Sequence, residues 1–175
     1  MNPEDLPTYS VADADRPPYS LEDREGRTID VGVATGADVS DLVEMYERFD
    51  PADRAQGIPP VRPDEIHRWL EVVLEGYNVV GRHDGDAVAH SMLVDTGEVD
   101  TCELAIFVLQ PYQGAGIGTR LVESAFGLAY DDGVTAIWLT VERWNHAAIR
   151  LYRKLGFQET GGGGMELEMG LRLTE

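Results

Sequence analysis

The chain has 175 residues and a formal net charge of −18 at pH 7, with 14 basic and 32 acidic side chains. So large a negative charge argues against nucleic acid and anionic membrane surfaces as partners, because both are polyanions. The single cysteine, Cys102, excludes an intramolecular disulfide and a cysteine-rich metal site, and the four histidines lack the spacing of a metal-binding motif.

The charged residues also bear on where the protein works. Lys154 is the only lysine, whereas acidic residues number 32. In concentrated salt the Debye length falls to ~3 Å, which screens the self-repulsion of such a surface. We therefore expect a cytoplasmic protein from a halophilic organism, the alternative being an ordinary acidic protein of high solubility. The first residues lack the basic and apolar regions of a signal peptide, which agrees with a cytoplasmic location.

The hydrophobic pattern predicts an α/β domain over residues 28–175, preceded by an arm. Residues 1–27 hold four of the nine prolines and seven acids without clear periodicity, so we expect an extended acidic arm, either packed on the domain or partly disordered. After the arm, alternation predicts strands and 3.6-residue periodicity predicts helices, in the order β-α-α-β-β-β-α-β-α-β-β. The predicted bounds are a strand over 28–34, helices from 38 and over 63–74, strands over 77–82, 87–94 and 99–109, a helix over 117–130, a strand over 136–141, a helix over 145–155, and strands over 157–160 and 166–173.

Two connections define the expected sheet. The Asp84-Gly85 turn predicts a hairpin between the strands over 77–82 and 87–94. The helix over 117–130 is a crossover, so the strands before and after it should be parallel neighbours. We therefore expect a central mixed sheet flanked by helices and antiparallel in its first half.

The most informative segment joins the long strand over 99–109 to the crossover helix. After a break at Pro111, residues Gln113–Thr119 carry three glycines directly before the helix. Such a turn presents backbone N–H groups at the positive end of a helix, which suits it to bind phosphate. It is not a P-loop, since Lys154 lies far along the chain. Nor is it the dinucleotide fingerprint, since Thr119 stands in place of the last glycine.

Two motifs, in order and with a strand between them, resemble the GNAT superfamily of N-acetyltransferases. Gln113-x-x-Gly116-x-Gly118 resembles the family's acetyl-CoA-binding motif, and the segment from Asn145 to Phe157 is similar to its N-x-x-A-x-x-L-Y-x-x-x-G-F helix and following strand. The resemblance implies a GNAT fold. It also implies transfer of an acetyl group from acetyl-CoA to a primary amine, directly within a ternary complex. The alternative is a non-catalytic acyl-CoA-binding or sensing module on the same fold.

The resemblance assigns the cofactor residues. It implies that backbone groups near Ile106 and Val108 pair with the pantetheine arm where the long strand splays from the next. The pyrophosphate is expected on the backbone amides of the glycine turn, and Asn145 either bonds the cofactor arm or acts as an ordinary helix N-cap. The cofactor-binding residues are thus Ile106, Val108, Gln113, Gly114, Gly116, Gly118, Thr119 and Asn145, and no metal is expected.

The resemblance also suggests two catalytic residues. Glu103 matches the glutamate that deprotonates the amine, often through water, and burial in its apolar strand would make it a stronger base. Asp100 is the second choice, although strand alternation places it on the other face. Tyr152 matches the tyrosine that protonates the departing thiolate, or else is a core aromatic. A strand amide near Ile106 is the expected oxyanion donor, and His90 is expected to be a satisfied sheet histidine.

The acceptor is less defined by the sequence. The family resemblance implies that the first two helices and their loop, about residues 38–74, bind it together with the C-terminal hairpin. Residues 49–54 and 57–60 resemble the corresponding region of members that acetylate protein lysines. Acids in this loop either attract a cationic amine or are solvated surface. A small-molecule amine, a protein lysine and a protein N-terminus all remain open, as do a monomer and a homodimer.

Overall fold

Nine strands and four α-helices form in the part of the chain that the computed structural model describes, residues 2–54 and 58–175. In chain order they are β1 (Thr8–Ser10), β2 (Tyr19–Glu22), β3 (Thr28–Val33), α1 (Val39–Glu47), α2 (Pro63–Val73), β4 (Tyr77–His83), β5 (Asp86–Asp95), β6 (Thr101–Val108), α3 (Ile117–Asp131), β7 (Ala136–Glu142), α4 (His146–Lys154), β8 (Gln158–Gly161) and β9 (Glu166–Thr174). From residue 28 onward this is the predicted order, and two further strands precede it.

The strands form one mixed sheet in the order β1-β9-β7-β6-β5-β4-β3-β2, with β8 paired to β9 beside this path. Strands β2 to β6 are antiparallel neighbours, and β6 and β7 are parallel across the α3 crossover, as predicted. Asp84 and Gly85, with φ of +49° and +88°, form the predicted hairpin turn between β4 and β5. This order places the α3 crossover, and the glycine turn before it, at the middle of the sheet.

Helices cover both faces of the sheet. Neighbouring residues on a strand face opposite sides of the sheet, so Ala89 and His90 of β5 point to different faces. His90 contacts Tyr46 of α1. On the other face, Gly81, the β4 partner of Ala89, lies against Leu121 of α3. Helices α1 and α2 therefore cover one face and α3 the other. Within the described ranges, no helix is long and apolar enough to cross a membrane.

The long strand is shorter than predicted at both ends. Asp100 has a φ of +54°, and its carbonyl accepts hydrogen bonds from Thr135 and Ala136, so this residue belongs to a turn rather than to the strand over 99–109. At the other end, a 3-10 helix at Gln110–Tyr112 ends the strand after Val108. The apolar pattern continues through both ends, which is why the sequence suggests a longer strand.

The predicted arm, residues 1–27, contributes two strands to the sheet. β1 pairs with β9 and β2 with β3, so these consecutive strands lie at opposite edges. The chain between them crosses α3, where Arg16 binds Asp131 at 2.9 Å and lies against Gly127. Leu6, Val11 and Leu21 are buried. These apolar residues are too widely spaced among prolines and acids to show a period, which is why the sequence predicts no strands in the arm.

Candidate active site

A gap opens between the two parallel strands at the centre of the sheet. β6 and β7 pair only from Thr101 to Glu103, opposite Ala136 to Trp138. Beyond this point β6 stays paired with β5, while β7 stays paired with β9. The strands therefore diverge, and the second half of β6 has an open edge toward β7. This is the splay that the family resemblance implies.

The peptide groups of Ile106 and Val108 face this gap. The N–H of Leu109 donates to the carbonyl of Val88 on β5 at 3.0 Å. Because peptide groups alternate sides along a strand, those of Ile106 and Val108 point the other way. The side-chain amide of Gln113 donates to the Val108 carbonyl at 2.9 Å, which holds the start of the glycine turn against the strand. Ile106 thus presents a backbone donor and acceptor to a ligand lying along the open edge.

The glycine turn, residues Gln113–Thr119, ends in the first turn of α3. Gly114 and Gly116 have φ of +72° and +89°, a region where glycine is nearly free of steric cost. Gly116 is the N-cap of α3 and receives no side-chain cap, so the first N–H groups of the helix are open to a ligand. The positive φ angles therefore explain why glycine stands at positions 114 and 116.

Gly118 differs from the other two glycines. A methyl group there would lie 3.5 Å from Val108 and 3.7 Å from Ile106, which are ordinary contacts. Crowding within the protein therefore does not require glycine at this position. The expectation that a side chain here blocks phosphate stays a prediction about the ligand.

A cleft of about 440 Å³ connects the gap, the glycine turn and the start of α4. This volume is within the range of small-molecule sites. All eight residues assigned to the cofactor line it: Ile106, Val108, Gln113, Gly114, Gly116, Gly118, Thr119 and Asn145. The two motifs, about thirty residues apart in the sequence, thus meet in one cleft.

The cleft is positively charged on a strongly negative protein. Its lining side chains, among the residues that the structure describes, include four cations and a single carboxylate, namely Arg24, Arg54, Arg150, Lys154 and Asp53. The whole chain has a net charge of −18. A local reversal of sign at a cleft concentrates anionic ligands there. The charge of the cleft therefore agrees with a phosphate-bearing ligand.

Asn145 is both a helix cap and a cleft residue. Its side-chain oxygen accepts a hydrogen bond from the N–H of Ala148 at 3.2 Å, which caps α4. The same residue lines the cleft beside Ala147 and Trp144. Because its oxygen serves the helix, its amide nitrogen is the group free to face a ligand.

Tyr152 is buried on α4, behind the cleft lining. Its side chain is 7% exposed, and its ring packs edge-on against Phe157 at 5.8 Å. Burial raises the pKa of the Tyr152 hydroxyl to about 12, so the group stays protonated at neutral pH. Its helix neighbour Leu151 lines the cleft, whereas Tyr152 is not among the described lining residues. Both interpretations of this residue, core aromatic and proton donor, therefore remain compatible with its position.

Glu103 lies where β6 and β7 begin to part, opposite Trp138. It is exposed, so the burial that the sequence suggests is not found. The apolar neighbours Cys102 and Leu104 point to the other face of the strand and are themselves buried there. Its position at the apex of the gap is consistent with action through water. Asp100, the second choice, is exposed in the turn before β6.

His90 is a satisfied core histidine, as expected. Its side chain is fully buried, with Nδ1 2.6 Å from the Tyr46 hydroxyl and Nε2 2.8 Å from Oδ1 of Asn78. The Asn78 amide in turn donates to the carbonyl of Val73, at the end of α2. Burial lowers the pKa of His90 to about 3, so the ring is neutral. This network joins both helices of one face to the sheet.

Aromatic rings form the wall of the cleft opposite the glycine turn. Phe49 and Phe107 line it, and both pack against Tyr46, with Trp69 behind. Arg54 donates to the carbonyls of Phe49 and Tyr46, which fixes the end of α1. Residues 55–57 of the predicted acceptor loop lie outside the described residues. The described part of this loop thus contributes the aromatic ring of Phe49 and the charged side chains of Asp53 and Arg54 to the cleft.

Sequence reasoning missed several lining residues. Arg24 comes from the arm, and Arg150 and Lys154 come from α4. The spacing of Ala147, Leu151 and Lys154 along one helix face was a signal for the α4 residues. Arg24 carried no comparable signal, because its segment is distant in sequence from both motifs. Among the described residues, no cluster of side chains is suited to a metal ion.

Comparisons with known proteins agree with this geometry. A model of the acetyltransferase (GNAT) family matches residues 40–157. An uncharacterized N-acetyltransferase of Mycobacterium tuberculosis is 32% identical over 115 residues, which cover 59% of this chain and 74% of the relative. The segment matched by the family model includes both motifs and, of the described cleft-lining residues, all but Arg24.

Solved structures share the fold. The GNAT domain of S. lividans PAT superposes with a TM-score of 0.76 at 19% identity. The alignment covers 89% of this chain and 96% of that one. A putative acetyltransferase from Salmonella typhimurium, solved with its cofactor acetyl-CoA, has a TM-score of 0.67 at 24% identity and covers 84% and 95%. At these identities the likeness concerns the fold.

Proposed function

The chain belongs to the GNAT family of acetyltransferases and is an N-acetyltransferase, and we propose that it transfers the acetyl group of acetyl-CoA directly to a primary amine in a ternary complex. The observation that carries this proposal is the open edge of β6, which continues into the uncapped N-terminus of α3. The amides of a pantetheine arm can pair with the open strand edge, and the phosphates that follow the arm can bind the N–H groups of the helix N-terminus. In this reaction acetyl-CoA is a substrate rather than a resident group.

Acetyl-CoA would bind along the strand edge. The amides of its pantetheine arm would pair with the peptide groups of Ile106 and Val108, in the manner of an added strand. The pyrophosphate would accept hydrogen bonds from the backbone N–H groups of the glycine turn. The amide nitrogen of Asn145 would face the arm from α4. This arrangement brings the thioester toward the apex of the gap, near Glu103.

The transfer moves three protons. We assign Glu103 as the base that takes one proton through water from the arriving ammonium, which its exposed position at the apex permits. The neutral amine then attacks the thioester carbonyl carbon, and a strand N–H near Ile106 stabilises the oxyanion that forms. Collapse of the intermediate breaks the carbon–sulfur bond, and Tyr152 protonates the departing thiolate. The proton that the nitrogen loses as the amide forms restores the phenol of Tyr152, whose raised pKa keeps it protonated before the transfer.

The acceptor would enter from the aromatic side. Phe49 and Phe107 offer aromatic walls, and Asp53 and Arg54, which also line the cleft, carry opposite charges. The preference for a cationic amine therefore rests on the faces of the aromatic rings, once the phosphates of bound acetyl-CoA offset the cations of the cleft. The acceptor is therefore proposed to be a primary amine on a small molecule or a protein, protonated when it arrives.

The test measures thiol release from acetyl-CoA with small amines, lysine peptides and peptides with free N-termini. Release that depends on an amine supports the proposal. Tight binding of acetyl-CoA without acetylation of any amine would indicate a sensing module instead. The panel also separates a small-molecule acceptor from a protein acceptor.

Replacement of Glu103 by Gln tests the base. We expect kcat/KM to fall about 10- to 100-fold near neutral pH, and the loss to shrink toward pH 9, where more of the amine is already neutral. Glu98→Gln, an exposed change in the preceding loop, is the control and should keep the wild-type rate. Equal rates for Glu103→Gln and wild type across the pH range would show that Glu103 is not the base.

A further inference from the structure

The turn between β2 and β3, residues Asp23–Arg27 and hereafter the arm turn, holds the outer side of the glycine turn. The backbone N–H of Arg24 donates to the carbonyl of Ala115 at 3.1 Å, and its side chain reaches the Gly114 carbonyl at 3.4 Å. The family model begins at residue 40, so the arm turn lies outside the matched segment. A segment outside the residues that the family model matches therefore touches the glycine turn directly.

The arm turn is itself tightly built. Asp23 is 5% exposed and accepts hydrogen bonds from the backbone of Glu25 and Arg27 and from Nε of Arg27 at 2.7 Å. Arg27 also donates to the carbonyl of Pro111 at 3.0 Å and lies 4.2 Å from the centre of the Tyr112 ring. These contacts fix the arm turn against the residues just before the glycine turn, which gives Arg24 a defined position.

The ion pairs found among the described residues involve arginines outside the cleft, and neither Arg24 nor Lys154 takes part in one of them. Glu22 and Glu123 lie near the pair, in the adjoining groove. On a chain with 32 acids, a cleft whose described lining holds four cations and one carboxylate is a local reversal of charge. The concentration of cations at the cleft points to an anionic ligand.

The two residues stand at the boundary between the cleft and a side groove. A groove of about 360 Å³ lies outside the glycine turn, and Arg24, Gly116, Thr119 and Lys154 line both spaces. Nε of Arg24 lies 3.9 Å from the position a methyl group at Gly116 would take. A phosphate on the N-terminus of α3 would thus meet Arg24 from the arm and Lys154 from α4.

We propose that Arg24 and Lys154 bind a phosphate group of acetyl-CoA, and that the arm turn is part of the cofactor site. This inference rests on the proposed function. The backbone turn supplies neutral N–H groups, and these two side chains supply the charge. The phosphate is either the pyrophosphate or the 3′-phosphate, since the cleft and the side groove both border the pair.

The experiment measures binding of CoA and of dephospho-CoA to the full chain by calorimetry at about 0.1 M salt. Arg24→Gln and Lys154→Gln should each weaken CoA binding about tenfold and flatten the dependence of Kd on salt. Arg24→Lys should recover part of the loss. Arg153→Gln, an exposed change on α4 that is not a lining residue, removes the same charge elsewhere and should stay within about twofold of wild type.

The two ligands distinguish the phosphates. A loss with CoA alone assigns the contact to the 3′-phosphate, and a loss with both ligands assigns it to the pyrophosphate. Binding by Arg24→Gln and Lys154→Gln at wild-type strength would overturn the inference while leaving the proposed function intact. If the wild-type chain bound neither CoA nor acetyl-CoA, the proposed function itself would fail.

Discussion

At the scale of single residues, Tyr152 is a core residue to which we also assign a proton transfer in the reaction. Its ring packs against Phe157 inside the domain, while Leu151 beside it faces the cleft. The burial that makes it a core residue also raises the pKa of its hydroxyl to about 12. A phenol with that pKa is a weaker acid than a thiol, so we expect its proton to move together with the breaking of the carbon–sulfur bond and the phenol to regain a proton from the attacking nitrogen.

Tyr152→Phe removes the hydroxyl and keeps the ring. We expect kcat to fall about 100-fold, with little change in KM, because the hydroxyl acts only when the thiolate leaves. Steady-state kinetics with acetyl-CoA as the varied substrate measures this. Tyr130→Phe, at the far end of α3, is the matched control. A full wild-type kcat in Tyr152→Phe would leave this residue as a core aromatic only.

His90 should make stability depend on pH. Burial lowers its pKa to about 3 in the folded protein, whereas a histidine in the unfolded chain titrates near 6.5. The unfolded state therefore binds the proton more readily, and the stabilisation present above about pH 6.5 is lost as the pH falls toward the folded pKa. The free energy of unfolding should fall by about 1 kcal/mol per pH unit between about pH 6 and 5.

Urea unfolding at several pH values checks this dependence. His90→Gln keeps a polar side chain between Tyr46 and Asn78 but removes the titration, so its slope in this pH window should be shallower than that of wild type. His67→Gln, whose histidine is 53% exposed, should keep the wild-type slope. Equal slopes in His90→Gln and wild type would contradict the buried, neutral state of His90.

At the scale of elements, the glycine turn links backbone conformation to binding. Gly116 has a φ of +89° at the first position before α3. Gly116→Ala should lower the free energy of unfolding by about 1 kcal/mol, because a side chain is strained in that region. It should also weaken CoA binding, since the strain displaces the N–H groups at the start of the helix. Unfolding in urea and calorimetry with CoA measure the two effects.

Gly118→Ala is the companion variant. Its methyl group would make ordinary contacts with Val108 and Ile106, so stability should match that of wild type within about 1 kcal/mol. Loss of CoA affinity in this variant would then report crowding of the ligand alone. A large loss of stability in Gly118→Ala, or none in Gly116→Ala, would contradict the assignment.

The sequence predicted the elements with local signals and missed contacts between distant segments. The Asp84-Gly85 hairpin, the α3 crossover and the two motifs depend on neighbouring residues, and all are found. The strands of the arm depend on pairing with β9 and β3, for which the arm itself has no periodic pattern. Arg24 was missed for the same reason, because only folding brings it beside the glycine turn.

Glu103 shows a different limit of sequence reasoning. An apolar run around a carboxylate suggests burial, but the alternation of a strand sends the neighbours of Glu103 to one face and Glu103 to the other. Whether that other face is covered depends on the elements that pack on it, which cannot be read from the strand itself.

At the scale of the whole molecule, charge separates the surface from the cleft. The chain carries −18 overall, while four cations line the cleft that contains the glycine turn. Mutual repulsion among the surface acids opposes folding at low ionic strength. A halophilic origin, which we propose from the composition, would supply the salt that screens it.

The melting temperature should therefore rise as KCl is increased from about 0.1 M to about 1 M, because the Debye length shortens from about 10 Å to 3 Å. Thermal unfolding followed by circular dichroism measures this shift. CoA binding should weaken over the same range, since salt also screens the cations of the cleft. A melting temperature that falls or stays constant with KCl would contradict a surface dominated by repulsion.

The arm ties the order of synthesis to the completion of the site. Thr8–Ser10 pair with Arg172–Thr174, so β1 finds its partner only after β9 has been synthesised. Until then one edge of the sheet lacks β1. Because the same arm continues across α3 to Arg24, the pairing with β9 helps to position the segment that contacts the glycine turn. A chain that ends before β9 would thus contain both motifs but leave β1 without its partner strand.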